Sequence, residues 1–188
     1  MPAPVRHSGA TPGVPDVDTV YGKLNGVNWR IRSYRPSDEE PVVVLSLRAW
    51  APVFASLEEV LGVEIFRRLH SDWRVDQDKA VRAVLVDPAM QIWVAEAQAE
   101  AGPTGFVAAK LNADSLIGEI YMLAVDPKIQ DQGVGTALTE TATDWLRTSG
   151  MRVAMIDTGG DPGHAPARRV YEKANYNLLP IARYFKAL

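Results

Sequence analysis

Alternation of apolar and polar side chains marks residues 29–34 (Trp-Arg-Ile-Arg-Ser-Tyr) as a half-buried strand. Ser37 followed by Glu40 fits a capping box and opens a helix predicted to run to Trp50, with Pro52 ending it. A second helix is predicted from Ser56, because Leu57, Val60, Leu61, Ile65 and Leu69 recur near the helical period. Residues 91–97, 104–111 and 117–125 read as three strands. Their short connections predict antiparallel neighbours. A helix follows over residues 133–148, with Val134, Leu138, Ala142, Trp145 and Leu146 on one stripe and Glu140, Asp144 and Arg147 off it. Residues 152–157 form the next strand. A helix separates it from 117–125, so those two strands are expected to be parallel, joined by a right-handed crossover. A helix over 164–174 and a closing strand over 180–188 complete an α/β chain with a mixed sheet.

The segment before Trp29 breaks this regularity. Residues 1–28 hold four Pro and four Gly and read as an N-terminal arm ahead of a domain over 29–188. Within the arm, residues 17–27 are expected to form an ordered extension or a short hairpin, with Asn25-Gly26 as its turn. At 188 residues the chain is of single-domain size. It has no cysteine, which excludes disulfides, zinc–thiolate sites and a cysteine nucleophile. No unbroken apolar run reaches membrane-spanning length and the first residues lack a secretory core, so a cytoplasmic protein with no membrane partner is expected. A net charge of −3 argues against a nucleic-acid partner. His7 and His70 stand apart from carboxylate clusters, so they are expected to be surface or loop residues and no metal is expected.

The chemistry concentrates where the strand ending at Val125 meets the helix after Gly133. Between them lies Gln130-x-x-Gly133-x-Gly135. A helix's first turn has unpaired N–H groups and the positive end of its dipole. Glycine lets a ligand approach the backbone without meeting a Cβ. Such a turn suits a pyrophosphate, and Thr136 can add a hydroxyl. It also occurs with no ligand at all. No Gly-Lys-Ser/Thr follows, which excludes a P-loop.

Val125-x-Pro127, then Gln130-x-x-Gly133-x-Gly135, an amphipathic helix, a strand, and Ala167-Arg-Arg-Val-Tyr171-Glu-Lys-Ala-Asn-Tyr176 follow in order. In that order the chain resembles the GNAT superfamily of acyl-CoA-dependent N-acyltransferases. The resemblance covers residues 29–188 and is strongest over 119–176. It implies a mixed, mostly antiparallel sheet with flanking helices. The parallel pair 117–125 and 152–157 would be splayed, with acetyl-CoA in the gap. Main chain at Leu123, Ala124 and Val125 would then meet the pantetheine. Amides of Gln130, Asp131, Gln132, Gly133, Val134, Gly135 and Thr136 would hold the pyrophosphate.

The resemblance further implies that Tyr171 protonates the departing thiolate; packing at the helix–sheet interface is its other reading. Glu119 is the candidate base, since a carboxylate in a mid-strand apolar run is costly to bury without purpose. A solvent-facing or Arg-paired Glu119 is the alternative. By strict alternation Glu119 shares a face with Tyr121 and Leu123. His164 stands where relatives often have a cofactor-contacting Asn, after a stiff Asp161-Pro-Gly approach. It is expected to donate to the cofactor or carry a proton, against a plain helix-start histidine. Asn175-Tyr176 replaces a common Gly-Phe, and Asn tolerates the left-handed conformation needed there.

With no cysteine to form an acetyl-enzyme, direct transfer from acetyl-CoA to a primary amine is expected. The acceptor, on a small molecule or a peptide, is not readable. A non-catalytic acyl-CoA-binding module is the alternative function. A homodimer through the apolar segment 180–188 is a further expectation.

Overall fold

The computed structural model describes residues 20–24, 27–97 and 101–188. Residues 1–19, His7 among them, and the turn residues Asn25 and Gly26 lie outside the described residues. Strand β1 (Val20–Leu24) pairs antiparallel with β2 (Val27–Ser33), Leu24 opposite Val27. Helices α1 (Glu39–Leu61), α2 (Val63–Leu69) and α3 (Trp73–Val86) then lead to β3 (Met90–Ala97), β4 (Pro103–Asn112) and β5 (Ile117–Val125). Helix α4 (Val134–Thr148), strand β6 (Val153–Ile156) and helix α5 (Ala165–Lys173) complete the order. The six strands lie in sequence order in one sheet, antiparallel except for the parallel pair β5–β6.

The two middle strands are buried on both faces, so alternate side chains feed two cores. Trp93, Ala95, Val107 and Ala109 face α4, meeting Val134, Leu138, Ala142 and Leu146. Ile92, Val94, Phe106 and Ala108 face α1 and α3, meeting Val42, Leu45, Val81 and Leu85. The predicted stripe of α4 is the face that is buried. Leu138 and Leu146 are nearly inaccessible, each worth about 2 kcal/mol of apolar burial. Residues 36–61 are apolar and long enough to cross a membrane by length and composition, and here they pack on the sheet through Val42, Val43 and Leu45.

Three expectations are corrected. Pro52 does not end the first helix: α1 runs through it to Gly62. Proline deprives the Arg48 carbonyl of its helical donor. Packing on both sides holds the helix together across the gap, Val42 to Leu45 before it and Val53 after it in contact with Gly163. Helix α3, to which the sequence reading gives no element, supplies Val81, Val84 and Leu85 to the core. No strand forms over 180–188. A strand needs a ladder, and β6 is a four-residue strand that makes its ladder with β5 alone. The expected homodimer therefore loses the strand it depends on, while Leu179, Ile181 and Tyr184 stay exposed.

Candidate active site

Strand β5 is nine residues long and β6 only four, and they pair from Ile117–Val153 to Ile120–Ile156. Beyond that point the parallel strands part. The second half of β5, from Tyr121 to Val125, forms one wall of a cavity of about 680 Å³, with Ile156, Asp157 and Thr158 from the β6 side. That volume is typical of a small-molecule site. Trp50, Pro52, Val53 and Gln77 from α1 and α3 close its other end. Gln77 Nε2 there is buried without a hydrogen-bond partner.

The strand-to-helix turn forms the cavity's mouth. Asp126 ends β5 and accepts a hydrogen bond from the Lys128 amide at 3.0 Å. Its other oxygen takes both Nε and Nη2 of Arg48, at 3.0 and 2.5 Å, which fastens α1 to the turn. Burial opposes the charge of Asp126, but these bonds outweigh it and hold the carboxyl below its ordinary range. Asp131 and Gly133 both adopt positive φ, at 61° and 80°. These left-handed residues swing the chain into α4. The helix's own bonding opens with the Ala137 amide on the Gly133 carbonyl at 3.0 Å. The amides of Val134, Gly135 and Thr136 thus have no helical acceptor. At Gly135 a Cβ would meet Val170 at 3.5 Å and Val125 at 3.7 Å, ordinary contact distances. Protein packing therefore leaves room for a Cβ at Gly135. The same residue lines the cavity together with Gln130 and Asp131. Gln130 turns back to donate to the Val125 carbonyl at 3.2 Å, and Gln132 Oε1 is buried without a partner.

Helix α5 brings Tyr171 to the same cavity. Burial, with a smaller contribution from neighbouring Tyr176, pushes its hydroxyl up to about 12, so it holds its proton at neutral pH. Tyr176 is anchored through Thr143 Oγ1 at 2.7 Å, and Asn175 takes the expected left-handed conformation at φ 62°. His164 lines the cavity and pairs through Nδ1 with the Asp161 carboxylate. Glu119 is placed elsewhere. It forms an ion pair with Lys110 at 2.9 Å across the β4–β5 ladder and is not among the cavity-lining residues.

Strict alternation along β5 fails at a bulge. Ala108 faces Met122 and Ala109 faces Ile120, leaving Tyr121 as the extra residue. Glu119 and Tyr121 both meet Lys110, whose Nζ lies 4.1 Å from the Tyr121 ring centre, while Leu123 packs with the α4 core. Sequence reasoning missed Asp161 as the partner of His164 and Ser56 as the partner of Asp161; Asp three residues before His was the available signal. His70 sits between the rings of Phe54 and Phe66, both at 5.3 Å. Among the described residues no cluster of metal-ligating side chains occurs.

A mixed six-stranded sheet with a crevice beside its one parallel pair, lined in part by the glycine turn, is a fold shared with acetyltransferases of known structure. The chain belongs to the acetyltransferase (GNAT) family, whose model matches residues 55–176. A mycothiol acetyltransferase from Acidothermus cellulolyticus is 30% identical over 154 residues, covering 78% of this chain and 44% of that protein. The chain spans about half or less of the length of the curated relatives it matches. The fold is shared with the ribosomal-protein-S18-alanine N-acetyltransferase from Escherichia coli, at TM-score 0.57 and 18% identity over 81% of this chain and 79% of that one. It is shared too with an aminoglycoside N-acetyltransferase in complex with CoA, at TM-score 0.53 and 14% identity over 86% and 96% of the two chains.

Proposed function

We propose that the protein transfers an acetyl group from acetyl-CoA directly to a primary amine, on a small molecule or a peptide. The observation that carries this reading is the parting of β5 from β6 directly against the glycine turn. The free amides of Val134, Gly135 and Thr136, continued by the main chain of Gln130, Asp131, Gln132 and Gly133, hold the pyrophosphate. Leu123, Ala124 and Val125 offer main-chain groups to the pantetheine. Acetyl-CoA supplies an activated acetyl thioester. An N–H on the parted strand supports the negative charge that develops on the carbonyl oxygen. Tyr171, kept protonated by burial, gives its proton to the thiolate. The curated relatives named for mycothiol support a small-molecule acceptor.

Gly135→Val tests the cradle. Its Cβ has room within the protein, so the fold should survive, as read by thermal unfolding. CoA affinity by calorimetry should fall at least tenfold, because the side chain enters the space of the phosphate. Unchanged affinity in a folded variant would put the cradle elsewhere.

A further inference from the structure

An amine attacks only when neutral, and at pH 7 about one lysine-like amine in a few thousand is. A proton acceptor beside the thioester is therefore worth much to this reaction. Glu119, tied to Lys110, is outside the cavity. His164 is among its lining residues, and one of its ring nitrogens, Nδ1, is engaged by Asp161.

That engagement is built with care. Asp161 is 6% exposed at its side chain. One oxygen meets His164, and the other accepts from Ser56 Oγ at 2.8 Å and from the Gly163 amide at 3.0 Å. Ser56 accepts in turn from Gly163 at 2.9 Å, so α1 locks the turn across 107 residues of sequence. Two glycines make room. A Cβ at Gly159 would lie 2.5 Å from Asp161 Oδ1 and collide with the His164 ring, and one at Gly163 would lie 2.7 Å from Ser56 Cβ. Arg168 donates to the carbonyls of Gly159 and Asp161, at 2.5 and 2.9 Å, fixing the same loop.

We propose that His164 is the proton acceptor for the amine, with Asp161 and Ser56 as its positioning residues. This rests on the acetyltransferase reading above. Asp161 holds the proton on Nδ1, which leaves Nε2 as the basic nitrogen. The amine lone pair forms the N–C bond, the C–S pair leaves on sulfur, the amine's proton passes to Nε2, and Tyr171 protonates the sulfur. One proton is taken up and one delivered, and both side chains regain their resting forms by exchange with water. The charged and titratable groups around His164 are Asp161 on its own turn, Arg168 on α5, and Asp157, Asp131, Tyr121 and Tyr171 on the cavity wall. From α1 it faces the uncharged Ser56, Val53 and Trp50.

The test is the pH profile of CoA-thiol release with acetyl-CoA and a panel of primary amines, alongside CoA titration calorimetry. His164→Asn keeps a donor for Asp161 but removes the base. It should bind CoA like the parent, turn over about 10²-fold more slowly at neutral pH, and lose the acid limb of the profile. Asp161→Asn should keep CoA binding and the KM for the amine while lowering kcat about tenfold. Parent-like rates and limb in His164→Asn overturn the proposal. Loss of CoA binding in His164→Asn, with the fold intact, overturns it in favour of a cofactor contact. If the unmodified protein neither binds CoA nor releases thiol with any amine, the transferase reading fails, and the proton acceptor with it.

Discussion

Tyr171 illustrates what one residue's surroundings can decide. A phenol pushed up to about 12 by burial is a poor base at neutral pH and a standing proton donor. Tyr171→Phe removes only the hydroxyl, so CoA affinity should persist while turnover falls about 10²-fold. Steady-state rates with a saturating amine check this, and an unimpaired variant would make the tyrosine a packing residue. Tyr171 and His164 both line the cavity, and a local sequence pattern singled out each. Asp161's second partner had no such pattern, since Ser56 lies 105 residues away. The surroundings of Glu119 were hidden for a different reason. The sequence shows a carboxylate among apolar neighbours but hides the Lys110 opposite it and the bulge at Tyr121.

Among the elements, α4 was the easiest to read and β5 was predicted to the residue, because period and burial agree along both. The first helix was harder. Proline is normally a terminator, and only the packing on both sides of Pro52 reveals that this helix continues. The apolar tail read as a strand because propensity ignores whether a ladder partner exists. The seat of α4 on β5 depends on Gly118, where a Cβ would lie 2.9 Å from Leu146 Cγ. Gly118→Val should push α4 outward and destabilise the protein by about 1–3 kcal/mol, as measured by urea unfolding. CoA affinity should weaken as well, since the same helix carries the glycine turn. An unchanged midpoint would mean that α4 slides freely on the sheet.

For the molecule as a whole, one knot of largely buried charges ties the sheet to the first helix. Arg32 bridges Asp38 at 2.7 Å and Glu96 at 2.5 Å, joining β2, β3 and the start of α1. Burial opposes both carboxylates, but bonding to Arg32 outweighs it and holds them below their ordinary range. Groups lowered on folding add stability above their unfolded values and lose it as pH falls through the folded ones. The melting temperature should therefore hold from pH 7 to about pH 5 and drop steeply below about pH 4. Arg32→Ala should cost about 3 kcal/mol at neutral pH, because it strips Asp38 of its ion-pair partner and leaves Glu96 with Arg30 alone. It should also flatten the acid dependence, since the carboxylates gain less on folding. Thermal unfolding across pH checks both, and a parent-like acid slope in the variant would shift the effect to other carboxylates such as Asp126 or Asp161.

The parted strands also leave an isotopic signature. Beyond Ile120, β5 has no β6 neighbour, so its amides on that edge trade their hydrogens with solvent more readily than those of Ile117 to Ile120. A donor lying along this edge is recognised by main chain, which side-chain replacement leaves in place. In deuterated buffer, those amides of residues 121–125 that point away from β4 should take up label early in the free protein and resist it when CoA is added. Labelling that ignores CoA would mean the ligand does not complete the sheet.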